Sequence, residues 1–205
     1  MKRVLLLAAV LASLSFGAVD ASQFVMIQKS VVKGAYNGPD SADFKEGKKT
    51  IRFMSMEGVG DHVYTLTAMS KPNWLLRFDT YWTYTVKAEK RELVPDYIIE
   101  QFKDVDTGRY FYGVHDIRFG EDTWRAFLLG MDDKKKSMIT YMDSNNFDKP
   151  EDSRTGFYVR KGTLIFGVGG LGNDAFQPGY VLNWSNEAKW FGYDYYQRLA
   201  DSPNW

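Results

Sequence analysis

The chain has no cysteine among its 205 residues, which removes disulfides, thiolate metal sites and cysteine nucleophiles together. Histidine is almost as scarce. His62 and His115 are the only two, too few for a histidine-built zinc or catalytic centre. Neither charge sign is in excess, with 26 Lys plus Arg against 26 Asp plus Glu, so no global field recruits nucleic acid. No apolar run reaches the ~20 residues of a membrane-spanning helix, and no low-complexity linker divides the chain.

Aromatics are abundant, at 16% of residues within a 44% hydrophobic total, which excludes a disordered or fibrous chain. At the N-terminus, Met1-Lys2-Arg3 precedes an apolar run from Val4 to Ala18. Val19-Asp20-Ala21 then offers small or aliphatic residues at the −3 and −1 positions of a signal-peptidase site. Residues 1–21 therefore read as a signal peptide and 22–205 as one secreted domain. Its N-terminal strand and loop extension covers 22–49, with Tyr36 to Lys49 taken as loop. Without disulfides, core packing has to supply the stability.

The rest of the chain reads as short β-strands bounded by Gly, Pro, Asn or Asp. They span Thr50–Met54, Val63–Met69, Trp74–Phe78, Tyr81–Lys87, Tyr97–Phe102, Arg109–Phe119, Trp124–Met131, Ser137–Met142, Gly156–Phe166 and Gly179–Trp184. Only Asp96–Lys103 and Glu187–Leu199 could be argued as short helices, and neither is cleanly capped.

A repeat is superimposed on these strands. Trp74-Leu75-Leu76-Arg77-Phe78-Asp79, Phe127-Leu128-Leu129-Gly130-Met131-Asp132 and Tyr180-Val181-Leu182-Asn183-Trp184-Ser185 follow one another at a period of about 53 residues. Each places an aromatic, a Leu and a bulky apolar residue at alternate positions, on one strand face. The nine residues Trp74, Leu76, Phe78, Phe127, Leu129, Met131, Tyr180, Leu182 and Trp184 are thus expected to share one core. Three units of four short strands predict an all-β fold, a β-trefoil, with an antiparallel β-sandwich as the alternative.

Thr50-Ile51-Arg52-Phe53, Gly58, Val63-Tyr64-Thr65-Leu66 and Pro72-Asn73-Trp74-Leu75-Leu76-Arg77 carry a further signal. This stretch of about thirty residues resembles the arabinofuranosidase-type carbohydrate-binding β-trefoil domain, within the repeat logic above. Val59 stands where that family has Leu, and Phe78 where it has His. The resemblance implies binding to the side-chain sugars of plant polysaccharides.

Catalytic motifs are thin. Gly167-Val168-Gly169-Gly170-Leu171-Gly172 matches G-x-G-x-x-G, but the turn-like Asn173–Gly179 follows it in place of a helix, so it reads as a glycine-rich loop. Asp104–Gly108 and Asp143–Asp148 hold calcium-type oxygen ligands without the full spacing, and read as turns. His115 and Asp116, as strand neighbours, point to opposite faces. No Gly-x-Ser-x-Gly elbow is present.

The expectation is therefore a non-enzymatic, cofactor-free, secreted module that binds a glycan or extracellular matrix component. The alternative is a structural or adhesive extracellular protein working through protein contacts. No nucleic-acid partner and no transmembrane segment are expected, and homo-oligomerisation stays open. The expected ligand-binding residues are Asp79, Tyr81, Trp82, Asp132, Trp190 and Tyr193, acids beside flat rings that stack on sugar faces. Asn183-Trp184-Ser185 is an N-x-Ser sequon, making Asn183 a glycosylation candidate if export is eukaryotic.

Overall fold

A computed structural model describes residues 23–71, 77–90, 93–118, 125–147, 153–170 and 179–196. These form three separate antiparallel sheets. The first is a four-strand meander of β2 (Asp40–Glu46), β3 (Lys49–Glu57), β4 (Val63–Ser70) and β5 (Thr80–Lys87). The second meander holds β6 (Asp96–Asp104), β7 (Tyr110–Ile117), β8 (Arg125–Met131) and β9 (Met138–Asp143), with β1 (Phe24–Val32) added beside β6. The third holds β10 (Ser153–Arg160), β11 (Thr163–Gly170), β12 (Gly179–Ser185) and β13 (Trp190–Tyr196).

Two apolar layers order these sheets. Phe44, Ile51, Phe53 and Leu66 of the first meander pack on Tyr97, Tyr112, Val114, Phe127 and Leu129 of the second. From its other face, Phe102, Phe111, Ala126 and Leu128 meet Phe157, Phe166, Leu182, Trp184 and Phe191 of the third. The second sheet is thus the filling of a three-layer sandwich. Its strands have apolar residues on both faces, so β8 reads as the nearly continuous run Ala126-Phe127-Leu128-Leu129, whereas one-sided strands alternate. β1 is buried only at its ends, where Phe24 enters one layer and Val32 the other.

The antiparallel all-β expectation holds, with the strands sorted into one sheet of five and two of four. Closure differs: the three sheets stack face to face and form no common barrel among the described residues, which is the sandwich arrangement. The nine-residue common core is corrected for the same reason. Phe127, Leu129 and Met131 face the first meander, while Leu182 and Trp184, with Tyr180 packed at the rim, face the opposite layer. Phe78 is 49% exposed, and Trp74 and Leu76 lie outside the described residues. Two of the three copies do occupy equivalent places, since β8 and β12 are both third strands. The third strand of the first meander is β4, upstream of the hexamer that starts at Trp74.

Other boundaries shift as well. The loop expected over Tyr36–Lys49 contains β2, held by seven paired positions against β3 although only Phe44 of its own side chains is fully buried. The run Gly156–Phe166 is two strands folded back at Lys161-Gly162. Both segments arguable as helix supply strands instead, β6 and β13. Gly167 to Gly170 of the expected glycine-rich loop belong to β11 and pair with β10, while Leu171 and Gly172 lie outside the described residues. A Cβ at Gly167 would come within 2.8 Å of the Tyr158 ring, so close packing explains that glycine.

Candidate functional site

In an up-and-down meander the first-to-second and third-to-fourth connections leave from the same end. That end of the stack gathers the β2–β3, β6–β7, β8–β9 and β12–β13 turns around a cleft of about 540 Å³. Glu46, Lys48 and Lys49 come from the first turn, and Thr107 to Tyr110 from the second. Met131 to Asp133 and Lys135 come from the third, and Asn186 from the fourth.

Arg109 organises this wall. Its Nη1 donates to Asp133 at 2.7 Å and its Nη2 to the Met131 carbonyl at 2.8 Å, while its guanidinium lies 4.8 Å from the Trp184 ring centroid. Its bond to Asp133 holds that carboxyl below the usual range. Asp132 is likewise held low, chiefly by the backbone N–H of Lys136 at 2.8 Å and then by Ser137. Both aspartates are therefore committed to neighbours. Glu46 differs: burial pushes its carboxyl up, and the Tyr112 hydroxyl donating at 2.9 Å pulls the other way. Behind Tyr112, Gln101 Nε2 donates to that hydroxyl at 3.2 Å and to the Lys45 carbonyl at 2.9 Å, anchoring the β2–β3 turn on the central sheet. The ammonium groups of Lys48, Lys49 and Lys135 make no ion pair among the described residues. The cleft therefore presents uncommitted cations to a ligand, with Glu46 as its remaining acid.

The expected site residues are only partly brought together. Asp132 lines the cleft. Trp190 is 46% exposed and sets its ring edge against Tyr141 at 5.2 Å, and the Tyr141 hydroxyl in turn accepts from Arg109 at 3.4 Å. Asp79 lies exposed at the end of the β4–β5 connection, where its N–H donates to Ser70 Oγ and its carbonyl accepts from the Ser70 N–H. Tyr81 is the extra residue of a bulge in β5 and is half-buried. Trp82 faces the central sheet, with Nε1 donating to Thr140 at 3.2 Å and its ring 5.3 Å from Phe127. Tyr193 is 55% exposed but sits farther along β13, against Phe147 and Tyr180. Asn183 is half-buried in β12 opposite Gly192, on the strand face away from Leu182 and Trp184.

Sequence reasoning missed Arg109, Glu46 and Lys135. The available signal was a set of lysine-bearing turn sequences, Glu46-Gly47-Lys48-Lys49 and Asp132-Asp133-Lys134-Lys135-Lys136. The acidic turns do serve their own backbone. Asp104 accepts from the Asp106 N–H and the Thr107 hydroxyl. Asp143 takes Arg125 in a two-pronged pair and caps the short 3₁₀ turn Ser144–Asn146.

His115 and Asp116 do face opposite layers. Asp116 accepts from the Tyr84 hydroxyl of the first meander at 2.8 Å, whereas the His115 ring packs on Phe157 of the third. The acid that His115 does meet is Glu100 on the neighbouring strand, Nε2 to Oε2 at 3.2 Å. Lys29 reaches the other Glu100 oxygen at 2.8 Å. Burial works against the Glu100 charge, but its bonds to His115 and Lys29 outweigh it and hold its carboxyl low. Both His115 and Glu100 are over nine-tenths buried, and with Lys29 the cluster ties β1, β6 and β7 together. Among the described residues no three His, Asp or Glu gather to hold a metal ion, and no helix is long and apolar enough to cross a membrane. No family model, curated protein or solved structure matches the chain.

Proposed function

We propose that this chain is a secreted, non-catalytic carbohydrate-binding module whose site is the turn-end cleft. The observation that carries the reading is the cleft itself: an open hollow with uncommitted ammonium groups, whose Arg109 reaches Tyr141 and through it the half-exposed ring of Trp190. Charged donors that bind hydroxyls or acidic substituents, next to an aromatic plane, make a sugar-binding surface. A binding role fits better than hydrolysis. Glycoside cleavage uses two carboxyl groups, and here Asp132 and Asp133 are consumed by their own turn and by Arg109, leaving Glu46 alone.

A second reading, adhesion through protein contacts, draws on β1. This strand is an edge of the central sheet and exposes Val25, Met26, Ile27 and Val31, an apolar edge suited to pairing with another strand. A glycan array probed with residues 22–205 separates the two. Binding to a defined glycan set, weakened by Trp190→Ala, is the expected result. Silence across the array, with self-association in solution, would favour the adhesive protein.

A further inference from the structure

We propose that Glu46 is the residue that fixes a ligand in the turn-end cleft, its free carboxylate oxygen accepting hydroxyls of a neutral sugar, and that Tyr112 and Gln101 are its positioning residues; this rests on the sugar-binding reading above. Strand β2 brings Glu46 to the cleft. Phe44 is the one fully buried side chain of that strand, and alternation puts Glu46 on the same face, toward the central sheet. Phe44 enters the apolar layer, whereas Glu46 lies half-buried where that layer opens into the cleft.

Tyr112 of β7 meets it from the central sheet. The Tyr112 ring is fully buried, with Phe44 edge-on at 5.7 Å and Phe53 tilted against it at 5.2 Å, so its hydroxyl is held in one direction. That hydroxyl donates to Glu46 Oε1 at 2.9 Å. Gln101 of β6, also fully buried, donates through Nε2 to the Tyr112 hydroxyl at 3.2 Å and to the Lys45 carbonyl at 2.9 Å. The relay thus holds both the Glu46 carboxylate and the backbone beside it.

Packing alone does not account for this relay. Gln101 Oε1 is buried without a hydrogen-bond partner among the described residues, and an unpaired buried acceptor destabilises a fold. Apolar side chains in place of Gln101 and Tyr112 would fill the layer without that penalty. What the relay secures is an oriented carboxylate with one oxygen left over. No hydrogen bond or ion pair among the described residues reaches Glu46 Oε2. Burial pushes this carboxyl up; the Tyr112 bond opposes most strongly, then Lys135, Lys49 and Arg109. Tyr81 of β5 also lies within its field.

The surrounding charges suit an uncharged ligand. Lys48, Lys49 and Lys135 line the cleft together with Asp132 and Asp133, and Asp106 and Glu187 stand in neighbouring turns, so neither sign dominates this end. A sugar hydroxyl both donates and accepts. Adjacent hydroxyls can donate to the free Glu46 oxygen, and charge-assisted bonds of that kind are roughly twice as strong as neutral ones. The lysine ammonium groups donate to other hydroxyl oxygens. An acidic glycan would bring its own negative charge against Glu46.

The test uses residues 22–205 as wild type, Glu46→Gln and Tyr112→Phe, titrated between about pH 4 and about pH 8. The probes are the neutral glycans that the array returns, galactan, arabinan and dextran oligosaccharides among them, with polygalacturonate as the acidic comparison. The amide of Glu46→Gln still accepts from Tyr112 but puts an N–H where the free oxygen was. This variant should keep the Tm and bind neutral sugar tenfold or more weakly at pH 7. Wild-type binding should be full above the raised Glu46 value and fall as pH drops through it, a fall that Glu46→Gln lacks. Tyr112→Phe removes the bond that holds this carboxyl down, so its fall should come at higher pH than in wild type. Unchanged affinity of Glu46→Gln overturns the proposal, and so does a loss that accompanies a lower Tm or a pH profile shared with wild type. Equal midpoints for wild type and Tyr112→Phe overturn the positioning role. Wild-type binding to polygalacturonate alone also overturns the proposal, while the sugar-binding reading stands. If no array glycan binds, that reading fails and this proposal with it.

Discussion

The central sheet and the two outer meanders are built from the same four-strand unit but follow different burial rules. In β5, Trp82, Tyr84 and Val86 turn inward while Thr83 and Thr85 are exposed, as a half-buried strand requires. In β7, six consecutive residues from Phe111 to Asp116 are buried. Alternation sets the register of a one-sided strand, because a slip of one residue would expose its apolar face. A strand buried on both faces loses that signal. The central sheet carries buried polar groups in its place: Glu100, Gln101, His115 and Asp116. Two of them reach the first meander, Gln101 to the Lys45 carbonyl and Asp116 to the Tyr84 hydroxyl, and so key one sheet onto the other. The layer toward the third meander relies on ring packing instead, with Phe111 5.1 Å from Trp184 and 4.9 Å from Phe191. In the first interface side-chain hydrogen bonds add to ring contacts such as Phe44 and Phe53 on Tyr112, while ring packing dominates the second.

The sharpest way to break this comparison is to empty the ring-packed layer. Phe111 is fully buried and also touches Phe24 and Tyr141. Phe111→Ala should cost about 3–5 kcal/mol, because four surrounding aromatic rings are held by four different strands of two sheets and collapse poorly onto the hole. Urea denaturation measures it. A loss below about 1 kcal/mol would mean that the third meander adjusts freely and that shape does not hold this layer.

The same contrast explains what was legible beforehand. β4 and β5 stand out in the sequence because Thr alternates with apolar or aromatic residues along much of them. β2, with Asp-Ser-Ala-Asp-Phe-Lys-Glu, does not, since its place on the sheet edge comes from backbone pairing with β3. The repeat was visible in β8 and β12 because third strands carry similar apolar trios. It gave no indication that these trios face different layers, because β8 is apolar on both sides. The trefoil expectation assumed units with one sticky face that close on an axis, and a middle unit with two such faces stacks. Of the cleft's lining, Asp132 was accessible to sequence reasoning. Arg109 was not, because its importance comes from Asp133, the Met131 carbonyl and Trp184 meeting it in space.

The hydrogen-bonded layer is tested by pH. Burial raises the Asp116 carboxyl above its ordinary value, with the Tyr84 hydroxyl and Arg118 opposing. The unfolded chain therefore releases this proton first as pH rises. The contribution of Asp116 to stability is largest below about 3.9, the ordinary Asp value, falls through the window up to its raised folded value, and stays lower above it. Asp116→Asn has no such titration and still accepts from Tyr84 through its amide oxygen. The stability of the variant relative to wild type should rise from pH 3 toward pH 7. Taking the difference cancels the opposite slope from Asp43, which Arg52 holds low. A flat difference across that range would show that Asp116 is not desolvated in this layer.

The smallest effect belongs to the outer face of the first meander, where the comparison predicts near-indifference. Thr85 is exposed and lies opposite Thr65, as Thr83 lies opposite Thr67, forming a short threonine ladder on the side away from the central sheet. Such cross-strand pairs contribute a few tenths of a kcal/mol, through hydroxyl contacts and the fit of β-branched side chains to the pleat. Thr85→Ala keeps the backbone pairing with β4 and removes nothing from either interlayer core. Its expected cost is about 0.5 kcal/mol or less, read from the shift in urea midpoint at unchanged slope. A cost above about 2 kcal/mol would mean that this face is covered by another surface in solution, and that the first meander, like the central sheet, is buried on both sides.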